Sequence, residues 1–267
     1  MAMNLAQRRP ITAYLLLMYP VAWAIAGLLF VLRVPAELAV AVANLVGVLG
    51  PAVLVSYWIG GQAAVRRLFA GVLHWRVGIG WYVLAIVAMP VLTIAISLVT
   101  GTLPQTHVGW LGLWLTYLLS LLIGGASTNL WEEVAWAGFV QSRLTARHGL
   151  LVGALATGPL FAAQHLPIIV ANAGGLGALV VLLLGLAVLS IFFRYVIGVA
   201  LLDTGGSLLI VGILHASSDA AGSKFGTGWQ SLVAPVVLAL ALLVYRALRH
   251  RAVNAHAAYV EPDPAPM

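Results

Sequence analysis

The sequence contains no cysteine. Disulfides, a thiolate nucleophile and thiolate metal ligation are therefore excluded, and any chemistry must come from oxygen and imidazole groups. Charge is scarce as well, with Asp, Glu, Lys and Arg making up 7% of 267 residues. By contrast 63% of the residues are hydrophobic, where a soluble domain has roughly 45–50% apolar residues. The chain reads as an integral membrane protein whose first partner is the lipid bilayer. The formal net charge of +6 does not point to nucleic acid, because the basic residues lie in short pairs between apolar runs rather than in one patch.

The first apolar run, from Ile11 to Leu32, is too long for a signal-peptide core and lacks a clear small-residue cleavage site, so it reads as a span rather than a cleaved leader. Runs of about twenty apolar residues match the length of a spanning helix. Eight are expected, over roughly 12–32, 37–60, 79–100, 110–140, 150–171, 176–202, 206–222 and 229–247. The expected fold is all-α, a polytopic membrane helix bundle of about eight transmembrane helices. Breakers fall between the runs, at Val34-Pro35, Gly60-Gly61, Gly174-Gly175 and Gly205-Gly206.

Basic residues test this count, since cytoplasmic loops hold the positive excess. With the N-terminus inside, Arg8, Arg9, Arg66, Arg67, Arg76, Arg143, Arg147, Arg194, Arg246, Arg249 and Arg251 fall at inner ends. Only Arg33 and Lys224 fall outside. Both termini are then cytoplasmic, in a protein of the cell membrane. Residues 1–248 are expected to form one membrane domain, and the polar, proline-rich stretch 249–267 a disordered cytoplasmic tail.

Two adjacent carboxylates stand out against this background. Glu132 and Glu133 end a run that is almost wholly apolar from Trp110 to Ile123, and a charge at the centre of a bilayer helix costs at least ~3 kcal/mol. Such residues face other helices and mark functional sites. Asp219 is the other deeply placed acid, and His165 and His215 are the two histidines inside spans; His74, His107, His148, His250 and His256 read as solvated loop or tail residues. His215 and Asp219, four apart, share one helix face. Consecutive glutamates diverge by about 100° on a helix, so one faces the site while the other binds backbone or a neighbouring side chain. Axial distances bring the fourth, fifth and seventh helices together at similar depth, in a pocket expected to open to the cytoplasmic side.

A carboxylate can act as general base toward water, with imidazoles orienting that water or stabilising an oxyanion. That set suits hydrolysis. Glu132, His165 and His215 are also suitable zinc ligands, although no HExxH occurs, so metal-free and zinc-dependent catalysis both stay open at this point. Trp131 and Trp136 flank the pair and read as ordinary interfacial tryptophans without a catalytic role.

Three motifs stand in order: Glu132-Glu133-Val-Ala-Trp136-Ala-Gly138-Phe139, Phe161-Ala-Ala-Gln-His165 and His215-Ala-Ser-Ser-Asp219. Together they resemble the CAAX-protease and bacteriocin-processing family of intramembrane endopeptidases (CPBP, or ABI), which includes the type II CAAX prenyl proteases. Thr204-Gly-Gly-Ser207-Leu208 is similar to that family's entry to the His215 helix, with one extra glycine. The resemblance covers the second half of the chain, with a catalytic core at about 110–225; the first three spans add only hydrophobicity. It implies hydrolysis of a peptide or membrane-anchored protein substrate. Glu132 would activate water together with His165, and His215 with Asp219 would steady the oxyanion. The family normally has arginine where this chain has Ala137. Arg194 is the expected substitute, reaching Glu133, with snorkelling to the inner interface as the alternative. Two other functions stay open: a catalytically weakened binding or bacteriocin-immunity protein, and a proton-coupled transporter.

Overall fold

Long runs of Leu, Val, Ile and Ala leave the backbone no polar partner in a bilayer except itself, and a helix satisfies its N–H and C=O groups internally. The computed structural model, which describes residues 5–104, 106–226 and 230–260, is accordingly helical, with no strand among the described residues. We number the long helices α1 (Pro10–Val31), α2 (Ala36–Leu73), α3 (Ile79–Val99), α4 (109–148), α5 (150–164), α6 (Leu176–Asp203), α7 (Leu208–Phe225) and α8 (Gln230–Val260). A short helix, Leu166–Asn172, follows α5.

Six stretches of the described residues are long and apolar enough to cross a membrane. One of them, Gly109–Gln164, has 56 residues, more than twice the ~20 that a bilayer needs. It breaks at Gly149, whose φ of 82° and ψ of 168° suit glycine, and so yields α4 and α5. α7 carries His215, Asp219 and Lys224, which lower its hydropathy. Counting both gives eight long helices, about the number expected.

Hydrogen bonds and ion pairs fix which helix ends lie together. Ser207 Oγ donates to the carbonyl of His74 at 2.6 Å, joining the α6–α7 turn to the α2–α3 turn. Arg246 binds Asp203 at 2.8 Å and ties α8 to the end of α6. These contacts gather the chain segments around Arg66, Arg67 and Arg76 and around Arg246 and Arg249 at one end of the bundle. At the other end Gln230 Nε2 donates to Thr102 Oγ1 at 2.7 Å, and Ser97 Oγ to the Phe225 carbonyl at 3.2 Å.

One expectation changes. Arg194 belongs to neither end: it is fully buried in the bundle. α8 is helical to Val260, into the stretch 249–267 expected to form the tail. Residues 261–267 of that tail lie outside the described residues.

α5 and α6 pack closely because Gly158 presents no side chain. A Cβ there would lie 2.7 Å from the Ile191 backbone nitrogen and 2.8 Å from its Cα. Gly158→Val should therefore force the two helices apart, costing about 1–3 kcal/mol and lowering Tm in detergent. Gly185→Val, where nothing stands within 4 Å, should leave Tm unchanged. Equal melting of the two variants would contradict the close α5–α6 crossing.

Candidate active site

α4 is not a uniform helix around the glutamates. Widened π-type turns run over Gly125–Asn129 and Val134–Gln141, with Glu132 and Glu133 on the four-residue α-helical stretch between them. A third π stretch, Ala43–Leu49, lies in α2 and carries Asn44. Such turns shift the register of the side chains they carry and occur often at functional sites.

The two glutamates are both buried but play different structural parts. Glu132 is gripped by amides: Gln164 Nε2 donates to Oε1 at 2.7 Å and Asn44 Nδ2 to Oε2 at 3.1 Å. Gln164 Nε2 also donates to Asn44 Oδ1 at 3.1 Å, closing a ring of three side chains. Trp136 Nε1 donates to Gln164 Oε1 and so fixes the orientation of the amide. Glu133 is held by charge. Arg194 Nη1 and Nη2 reach its two oxygens at 2.8 and 2.9 Å, and His215 Nδ1 lies 2.7 Å from Oε1. The Arg194 guanidinium stacks over the Phe161 ring at 3.8 Å, and Gln141 Nε2 donates to the Arg194 carbonyl at 2.6 Å. A buried carboxylate with a two-pronged arginine and an imidazole has its charge matched and its lone pairs occupied.

The histidines take defined tautomers from these contacts. Because Nδ1 of His215 faces a carboxylate, it donates, and Nε2 points on toward Asp219 Oδ2 at 3.8 Å. Asp219 Oδ2 accepts a hydrogen bond from Asn129 Nδ2 at 2.8 Å. Nδ1 of His165 lies 3.1 Å from the Phe161 carbonyl, which can only accept. His165 Nε2 is therefore an acceptor in the neutral ring.

Glu132, His165, His215 and Asp219 all line one cavity of about 300 Å³, with Asn44 and Gln164 in its wall. Glu133 lies behind that wall, tied to Arg194 and His215. Its exposed lining, including Val40, Ile168 and Leu232, belongs to the end of the bundle away from the arginines. The reason is packing: from Val134 to Ala137, α4 is completely buried on the arginine side of the carboxylates.

Among the described residues no three His, Cys, Asp or Glu side chains are grouped to hold a metal ion. Sequence reasoning passed over Asn44, Asn129 and the part played by Gln164, and Trp136 is a buried hydrogen-bond donor rather than an interfacial residue. The first three spans also contribute more than hydrophobicity, since α2 supplies Asn44. A lone amide inside an apolar run was the available signal for Asn44, because polar groups there are expensive without partners.

Residues 110–221, which run from α4 into α7, match the family described as Type II CAAX prenyl endopeptidase Rce1-like. No curated protein matches the chain.

Arg194→Ala should leave Glu133 buried without its cation, a loss of about 3–5 kcal/mol for a broken buried pair, seen as a fall in Tm. Ala137 lies one helical turn beyond Glu133 on the same helix. Adding Ala137→Arg should restore at least half of the lost Tm. Arg194→Ala melting like the unaltered protein would show that the ion pair does not hold the bundle together.

Proposed function

We propose that this chain, whose residues 110–221 match the Rce1-like family of CAAX prenyl endopeptidases, is an intramembrane endopeptidase in which Glu132 activates the attacking water. The observation that carries this reading is the common cavity: one carboxylate and two imidazoles face the same space, and Asp219 stands at its rim. The protein is read as residing in the cell membrane with both termini cytoplasmic, and its substrate as a peptide or membrane-anchored protein.

The proposed chemistry follows from the contacts. Water bound between Glu132 and His165 donates one hydrogen to the carboxylate and the other to His165 Nε2. As its oxygen attacks the scissile carbonyl carbon, the proton passes to Glu132. The developing oxyanion is met by His215 Nε2–H, whose ring is steadied through Nδ1 by Glu133 and whose positive charge is offset by Asp219. Asn129 holds Asp219 by its Oδ2, which keeps that carboxylate beside the imidazole and off the oxyanion. Glu132 then delivers its proton to the leaving amine, the C–N bond breaks, and a carboxylic acid and an amine are released, the acid's remaining proton passing to the amine to give a carboxylate and an ammonium. Glu133 and Arg194 touch no reacting atom in this scheme. They position His215.

Trp136 also acts at one remove, through Gln164. Purified protein with a fluorogenic peptide panel should show turnover that Glu132→Gln lowers by about 10²-fold or more, within the usual worth of a general base. Trp136→Phe keeps the ring stacking but loses the donor to Gln164, and should lower kcat with KM little changed. If the unaltered protein and Glu132→Ala are equally silent while both still confer a protective phenotype, the protein is a binding or immunity protein. Glu132-dependent proton flux into proteoliposomes would make it a transporter.

A further inference from the structure

Asp219 leaves the oxyanion short of donors. Held by Asn129 Nδ2 and facing His215, its carboxylate oxygens accept hydrogen bonds and cannot give them. His215 Nε2–H then meets the developing negative charge, where sites of this kind gather more than one preorganised donor. The amides of Asn44 and Gln164 are turned to Glu132, and His165 offers an acceptor to the attacking water.

Ser190, on α6, has no such commitment. It lines the same cavity and is 3% exposed, yet among the described residues its hydroxyl makes no hydrogen bond. Other hydroxyls inside the bundle turn back to the carbonyl four residues earlier, as those of Thr157 and Thr204 do at 2.7 and 2.6 Å. A buried hydroxyl without a partner is unfavourable, and one in a cavity wall is satisfied by what enters the cavity.

Helix register sets this hydroxyl beside His215. The crossing with α5, where the Ile191 backbone closes on Gly158, fixes the rotation of α6. Phe193 and Arg194 stand one turn beyond Ser190, and helical side chains lean toward the N-terminus of their helix, so both head groups fall back to its height. The Phe193 ring lies 5.0 Å from the His215 ring, and Arg194 binds Glu133, whose Oε1 is 2.7 Å from His215 Nδ1. Serine and imidazole therefore share one height in the cavity wall. No described carboxylate or imidazole is hydrogen-bonded to the serine to take its proton, so the hydroxyl binds rather than attacks. We propose that Ser190 is a catalytic residue, the second donor to the oxyanion. As water attacks and the carbonyl π pair moves onto oxygen, His215 Nε2–H and Ser190 Oγ–H both point at that oxygen, and the serine keeps its proton throughout. This role rests on the endopeptidase reading.

The test is Ser190→Ala in the full chain, purified in detergent. It uses the fluorogenic panel and a phosphinic analogue of the panel peptide that is cut fastest, whose tetrahedral P–O⁻ group mimics the oxyanion. Because the hydroxyl holds nothing in the fold, Tm should not move. kcat should fall about 10²-fold with KM little changed, and the phosphinic analogue should bind about 10²-fold more weakly, the scale for one lost oxyanion donor. Binding of the intact peptide, measured in a Glu132→Gln background, should not respond to Ser190→Ala. An unaltered kcat in Ser190→Ala overturns the proposal. So does a loss of rate matched by weaker binding of the intact peptide, which makes Ser190 a ground-state contact, or by a fall in Tm, which makes it a packing residue. Ser218 lines the same cavity from α7, and a 10²-fold loss in Ser218→Ala with none in Ser190→Ala would overturn the proposal by moving the donor to that helix. If the unaltered, folded protein cuts no peptide of the panel, the endopeptidase reading itself fails and the role of Ser190 falls with it.

Discussion

The buried cluster of Glu133, Arg194 and His215 is the constraint on which the rest of the structure depends. Three charged or chargeable groups from α4, α6 and α7 meet in the buried interior, so each is tolerable only because the other two are in place. This ties three helices to one another at a single height. It also fixes the His215 ring by its Nδ1 and leaves Nε2 for the cavity. The phenyl ring of Phe161, beneath the Arg194 guanidinium, brings α5 into the same assembly.

Around that cluster the chain divides two neighbouring carboxylates between two environments. Glu133 is neutralised by an arginine and becomes part of the frame. Glu132, one residue earlier, is met by the amides of Asn44 and Gln164, which supply hydrogen bonds and no charge. The π turns on either side of the pair matter here, because they set which way each side chain leaves the helix. One carboxylate then faces the cavity and the other stays in the protein interior.

Much of this was legible in the residues alone. Apolar runs of spanning length, interrupted by glycine and proline, are enough to place eight helices, because bilayer thickness sets the length and the backbone has no alternative to helix. The high cost of intramembrane charge singled out Glu132, Glu133, Asp219, His165 and His215. The same logic suggested that Arg194 reaches Glu133, and the two lie 2.8 Å apart. Asn44, Asn129 and Gln164 were harder to see, since a neutral amide costs less in a span than a charge and several are present.

What the sequence determined by itself was the set of spans, the end of the bundle that carries the arginines, and the few polar groups that needed partners. Hydropathy and charge are properties of each residue, and they act through the bilayer whatever the neighbours are. Tertiary structure alone decided which glutamate faces the cavity and which amides hold it. Those depend on how π turns rotate side chains and on which helix surfaces close against each other, and neither is encoded in any one stretch of the chain.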